Sequence, residues 1–170
     1  MRPALVAALA LLPLRAAAEL PALMLPVEPA CISSPFGARE GAGPRASRQH
    51  GGVDLPAPAG AWVRAAAAGQ VVAIRRRGAA GLEIDLRHPG GWVTRYAHLG
   101  AVVPALATGK RVVAQGERLG RVGRSGITYG THLHFELLAE GVRQDPAPHL
   151  PVGACVARQA HSRGGMVAGE

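Results

Sequence analysis

Hydrophobic and polar residues alternate along residues 82–87, with Leu82, Ile84 and Leu86 facing one way and Glu83, Asp85 and Arg87 the other. A period of two marks a half-buried strand, because successive side chains point to opposite faces of a sheet. The same rhythm runs through residues 131–139. There Leu133, Phe135 and Leu137 take the core face, while His132, His134 and Glu136 line the opposite one. Residues 70–76 and 82–87 flank a turn at 78–81, and residues 92–98 follow a second turn signal at His88-Pro89-Gly90-Gly91. Residues 71–74 are apolar throughout, which suits a strand covered on both faces. Further short strands are expected at 61–67, 111–113 and 118–122, and residues 131–139 make the longest. Only residues 101–108 could form a helix, and Pro104 limits it.

The 23 glycines and 14 prolines agree with many tight turns. The expected fold is therefore all-β, a mostly antiparallel sheet with long loops forming a groove, spanning residues 31–150. A chain of 170 residues has room for one such domain. Residues 1–18 read as a signal peptide: Arg2 is the positive start, residues 4–12 are apolar, and Ala16-Ala17-Ala18 supplies a small-residue cleavage site. That apolar run is far short of the roughly 20 residues a membrane span needs. Residues 19–30 form a Pro-rich lead-in, extended and loosely held, and residues 151–170 a tail without order beyond Cys155. The chain is accordingly expected in the periplasm or outside the cell, as a monomer with no stable membrane insertion after cleavage.

Export also permits a disulfide between Cys31 and Cys155. Closing so long a loop stabilises by about 4–5 kcal/mol in the chain-entropy picture. Two buried thiols are the alternative; zinc ligation by cysteine is disfavoured because no C-x-x-C spacing occurs. The net charge of +8 comes almost wholly from arginine, Lys110 being the single lysine. It fits either a solvated basic surface or attraction to an acidic polymer. Export and the lack of a recognisable binding module argue against nucleic acid.

The candidate chemistry lies on the polar face of residues 131–139. His132 and His134 are neighbours there, so one imidazole could bind a metal while the other touches a water or substrate. His50-Gly51-Gly52-Val53-Asp54 adds a further imidazole and a carboxylate. Fully extended, that run would separate His50 from Asp54 by about 13 Å. Gly51 and Gly52 allow the chain to turn sharply between them. Two imidazoles and a carboxylate suit Zn²⁺ and leave a coordination position open for water, the composition of a hydrolytic centre.

Four runs then occur in order: Ser33-Ser34-Pro35-Phe36-Gly37-Ala38-Arg39, His50-x-Gly-Val-Asp54-Leu, Tyr96-Ala97-His98-Leu99 and His132-Leu133-His134-Phe135-Glu136. Together they closely resemble the lysostaphin/LytM-type zinc metallopeptidases of the M23 family, over about residues 31–146. The resemblance implies a groove that cleaves peptide bonds in peptidoglycan, one Zn²⁺ held by His50, Asp54 and His134, and catalysis by His98 and His132. Some members of that fold are non-catalytic and bind cell wall or activate another hydrolase, but they typically lack some of these positions. Glu136 is expected as a supporting or solvated carboxylate, with a role as base the lesser reading. Members sometimes place an oxyanion-supporting tyrosine shortly before the first zinc histidine. Residues 41–49 hold no aromatic, which leaves Tyr96 and Tyr129. The loop 123–130, with Ser125, Thr128 and Tyr129, is expected to wall the groove. His88, His149 and His161 show no partner pattern and are expected in loops or the tail.

Overall fold

The structure, a computed structural model, describes residues 19–156 apart from 29, 41–43, 45 and 46. The expected signal peptide and the tail beyond Val156 lie outside the described residues. Eleven strands follow in chain order: β1 Gly37–Ala38, β2 Gln49–His50, β3 Val53–Pro56, β4 Trp62–Arg64, β5 Gly69–Arg77, β6 Gly81–Arg87, β7 Trp92–Val102, β8 Val112–Val113, β9 Arg118–Val122, β10 His132–Ala139 and β11 Val142–Gln144. Nine of them form one sheet, ordered β11-β10-β7-β6-β5-β8, with β3 beside β10, β9 beside the far end of β7, and β4 beside β9. β1 and β2 form a separate pair, and all these strand pairings are antiparallel. The all-β expectation holds. One short helix, α1 Pro104–Ala107, opens with Pro104 at its first turn. Proline is favoured there because that N–H has no helical partner, so Pro104 limits the helix, as expected, by fixing where it starts.

The core lies where the period-two pattern places it. Leu55, Ile84, Leu86, Leu133, Phe135 and Leu137 are fully buried. Each buried side chain of this kind contributes about 1.5–3 kcal/mol relative to exposure. Two expectations change. Val72 is 39% exposed, so residues 71–74 are covered on one face only. The longest strand is β7, not β10.

The polar face of β6 is not solvated either: Glu83 and Asp85 are buried beneath arginines. Arg75 and Arg95 both bond Asp85 (2.9 and 2.8 Å), and Arg95 also bonds Glu136 on β10 (2.8 Å). Glu83 is paired by charge with Arg75 and Arg77 without an aligned hydrogen bond. Arginine suits this layer because its apolar stem covers the sheet while its head forks between carboxylates.

The lead-in is firmly held rather than loose. Met24 N–H donates to Ala66 C=O, Arg64 N–H donates to Pro26 C=O (both 2.8 Å), and Val27 is buried. At the opposite end, Ile32 and Ala154 form a bridge beside the Cys31–Cys155 disulfide, which ties the two margins of the domain together.

His88 lies in the loop between β6 and β7, as expected, but it is buried and has hydrogen-bond partners that the sequence did not announce. A chain of hydrogen bonds runs from the Ala66 N–H to Tyr96 Oη (2.8 Å), through Thr94 Oγ1 (3.0 Å) and His88 (2.8 Å), to Ala68 C=O (2.8 Å). Burial pushes the His88 pKa down, with the bond to Ala68 acting weakly the other way. A histidine neutral in the fold is protonated more readily when unfolded. Its contribution is therefore complete above the ordinary value of 6.5 and is lost as pH falls from there through the lowered value. His88→Ala is expected to cost about 1–3 kcal/mol at neutral pH by orphaning its partners. It should also flatten the decline in melting temperature between neutral pH and mild acid; an unaltered decline would show that His88 is not its source.

Candidate metal centre and groove

β3 and β10 pair so that Asp54 stands opposite His134, and β7 flanks β10 on its other edge with Ala97 opposite His134. His50 ends β2, a bend before β3. The chain does bend at Gly51 and Gly52, yet neither has a positive φ. Their small size is needed for clearance: a Cβ on Gly52 would collide with the Phe135 carbonyl of β10, and one on Gly51 with the Arg143 side chain. The turn expected of this glycine pair is present, and the structure adds a steric demand at Gly52.

Three atoms converge at this point. His50 Nε2 lies 3.1 Å from Asp54 Oδ1 and 3.0 Å from His134 Nδ1, which is itself 2.9 Å from the same oxygen. The outer nitrogens are already engaged. His50 Nδ1–H donates to Pro35 C=O (2.7 Å), and His134 Nε2–H donates to Glu136 Oε1 (3.2 Å). In the neutral rings, two imidazole lone pairs and a carboxylate oxygen therefore face one another, an arrangement that calls for a cation. Two nitrogens and one oxygen, without sulfur, match the donors of an open zinc site. Arg39 Nη2 binds the other Asp54 oxygen (2.8 Å), leaving Oδ1 for the shared centre.

The electrostatics agree. Burial raises Asp54, but hydrogen bonds with His134 and His50 outweigh it and hold the carboxyl well below its ordinary range. Glu136 behaves likewise: burial is outweighed by His134 and Arg143, and the group is held at about 2. Burial lowers His134, and its bonds with Asp54 and Glu136 more than reverse this, leaving it raised. Positive charge at this point is what the two carboxylates favour.

His98 and His132 stand beside the cluster with ring centroids 4.9 Å apart. His132 Nε2 is 3.5 Å from Asp54 Oδ1, and the His98 ring is 5.8 Å from that of His134. His98 has φ 60°, left-handed backbone that non-glycine residues rarely adopt. The pairing of β7 with β6 shifts register between Tyr96 and Leu99, so the strand bulges at His98, whose side chain lines the groove; the pairing with β9 shifts just beyond, between Leu99 and Ala101. Burial pushes both imidazoles down, against the bond from His98 to Ser125 C=O and the attraction of His132 to Asp54.

All five side chains line one open groove of about 950 Å³, together with Phe36, Ala79, Ile127 and Tyr129. The loop 123–130 does form a wall, as expected. Tyr96 does not reach the groove, being fully buried on Ala66 and Thr94. Tyr129 is 60% exposed at the rim. His149 lies in a one-turn 3-10 helix, and His161 lies outside the described residues. Sequence reasoning missed Arg39 as the partner of Asp54 and Arg95 as the partner of Glu136. Arg39 closes the Ser33–Arg39 run and was within reach; nothing local marks Arg95.

Fold and site together define an all-β protein with a His-Asp-His cluster able to hold a metal at the floor of a groove. The model of peptidase family M23 matches residues 48–146. The chain belongs to that family. It is 40% identical over 115 residues to the DD-carboxypeptidase/endopeptidase Mpg of Neisseria meningitidis, covering 68% of this chain and 26% of that one. It is 35% identical over 92 residues to the peptidoglycan DD-endopeptidase ShyA of Vibrio cholerae, covering 54% and 21%. The chain thus spans about a quarter of the length of these curated relatives. Among solved structures, a zinc containing peptidase from Vibrio cholerae superposes with TM-score 0.61 at 30% identity, over 71% of this chain and 37% of that one. The catalytic domain of the antimicrobial peptidase lysostaphin from Staphylococcus simulans superposes with TM-score 0.58 at 26% identity, over 68% and 88%.

Proposed function

We propose that residues 31–150 are the catalytic domain of an exported zinc endopeptidase that hydrolyses peptide bonds in peptidoglycan, most simply at stem cross-links. The observation that carries this is the convergence of His50 Nε2, Asp54 Oδ1 and His134 Nδ1 beside two further imidazoles in an open groove. The substrate class rests on relatives named for DD-endopeptidase activity. Export is supported by the Cys31–Cys155 disulfide, which needs an oxidising compartment to persist.

His50, Asp54 and His134 would hold the ion. Bound there, zinc supplies Lewis-acid activation of water and of the scissile carbonyl. His98 and His132 share the proton work. Lowered by burial, both are neutral near pH 7 and suited to accept a proton as water attacks. The imidazolium so formed returns that proton to the leaving amine, while the other ring donates to the developing oxyanion. Glu136 acts through His134: it fixes the tautomer that turns Nδ1 to the centre, and Arg95 and Arg143 fix Glu136 in turn. Glu136→Gln is expected to weaken zinc binding about 10- to 100-fold while leaving the fold intact. Competition with a chromogenic chelator measures this, and unchanged affinity would remove Glu136 from the account.

Incubating isolated peptidoglycan with the protein, with and without chelator, tests the whole reading. New amine termini should appear only in the metal-replete sample. Binding without cleavage would instead favour the non-catalytic groove, which no observation in this structure supports.

A further inference from the structure

Ser125 occupies a junction that the proposed reaction does not yet use. Its Oγ donates to Leu99 C=O (2.7 Å) and accepts from Leu82 N–H (2.9 Å), so one hydroxyl ties the loop after β9 to the start of β6 and to the bulge of β7. Its carbonyl oxygen accepts the Nδ1–H of His98 (2.9 Å). The carbonyl of His98 is held in turn by Gly123 N–H (3.0 Å). Glycine is required at 123, because a Cβ there would collide with the backbone of Gly100 inside the bulge. His98 itself sits in left-handed backbone at φ 60°, a conformation that persists only where its surroundings enforce it.

We propose that Ser125 is the positioning residue for His98. By bridging β6 and β7, its hydroxyl holds its own carbonyl against Nδ1. That bond places the ring proton on Nδ1 and presents Nε2, as a lone pair, to the groove. A histidine protonated on Nε2 would show the substrate a donor where an acceptor is needed. A ring freed to rotate would lose the orientation on which proton transfer depends. Ser125 thus does for His98 what Glu136 does for His134, with a backbone carbonyl in place of a carboxylate. The inference rests on the proposed catalytic role of His98, but the tautomer is measurable without any substrate.

Two measurements on the zinc-loaded protein test it. Long-range nitrogen–proton correlation spectra of the imidazole rings should show His98 of the wild type protonated on Nδ1; protonation on Nε2 overturns the proposal, whether or not any variant folds. Ser125→Ala should lose that preference and lower kcat about 10- to 100-fold. Its KM and zinc content should stay within about twofold of wild type, and Ser125→Thr, which keeps the hydroxyl, should recover most of the rate. Wild-type kcat in Ser125→Ala, or a His98 still wholly protonated on Nδ1 there, overturns it. A wild type that cleaves no peptidoglycan would sink the functional reading instead, leaving the tautomer result to stand on its own.

Discussion

His134→Ala is expected to abolish both metal binding and hydrolysis. His134 contributes one of the three converging ligand atoms and is also the one linked through Glu136 to the arginine layer on the same face of the sheet. Apparent binding energies near 10–16 kcal/mol for four-ligand zinc sites imply about 3 kcal/mol or more per ligand, a loss of at least about 100-fold in affinity. The variant should still fold, because the His134 side chain faces the groove while its neighbours Leu133 and Phe135 supply the core. Metal analysis after dialysis and release of amine termini from peptidoglycan check the two halves. A variant that keeps one zinc per chain would show that the ion is held elsewhere.

His98→Asn is expected to separate catalysis from metal binding. Asparagine tolerates the left-handed backbone that position 98 requires, so the substitution adds little strain. It cannot accept and return a proton as imidazole does. General acid–base catalysis by a positioned side chain is worth about 10²- to 10⁴-fold, and kcat should fall by that amount. Zinc content should match wild type, since His98 lies outside the His50, Asp54 and His134 cluster. Full activity would move the proton work to His132 alone, and loss of zinc would make His98 a ligand.

What could be read from the sequence was local. Period-two alternation placed Leu133, Phe135 and Leu137 inside and His132 and His134 outside, because a strand's side chains obey a fixed geometry. The turn signals at 78–81 and 88–91 marked β5, β6 and β7 for the same reason. What could not be read depends on which strands become neighbours. Glu83 and Asp85 looked solvated because nothing near them in sequence announces Arg75 and Arg95 as their cover. Gly51 and Gly52 were legible as a turn, whereas the steric pressure on Gly52 comes from Phe135 across the sheet. The lead-in looked loose because its partners Arg64 and Ala66 lie on the far side of the site motif. His98 was recognisable only through a family resemblance, since its left-handed backbone sits in a bulge whose other half is β6.

The proposed hydrolysis requires His50, Asp54 and His134 to make a single zinc site. Titrating metal-free protein with zinc against a chelator of known affinity tests this, with wild type and Asp54→Ala measured side by side. One tightly bound equivalent in the wild type and none in the variant is the expected outcome. Failure of the wild type to take up zinc, or equal uptake by both proteins, would contradict it.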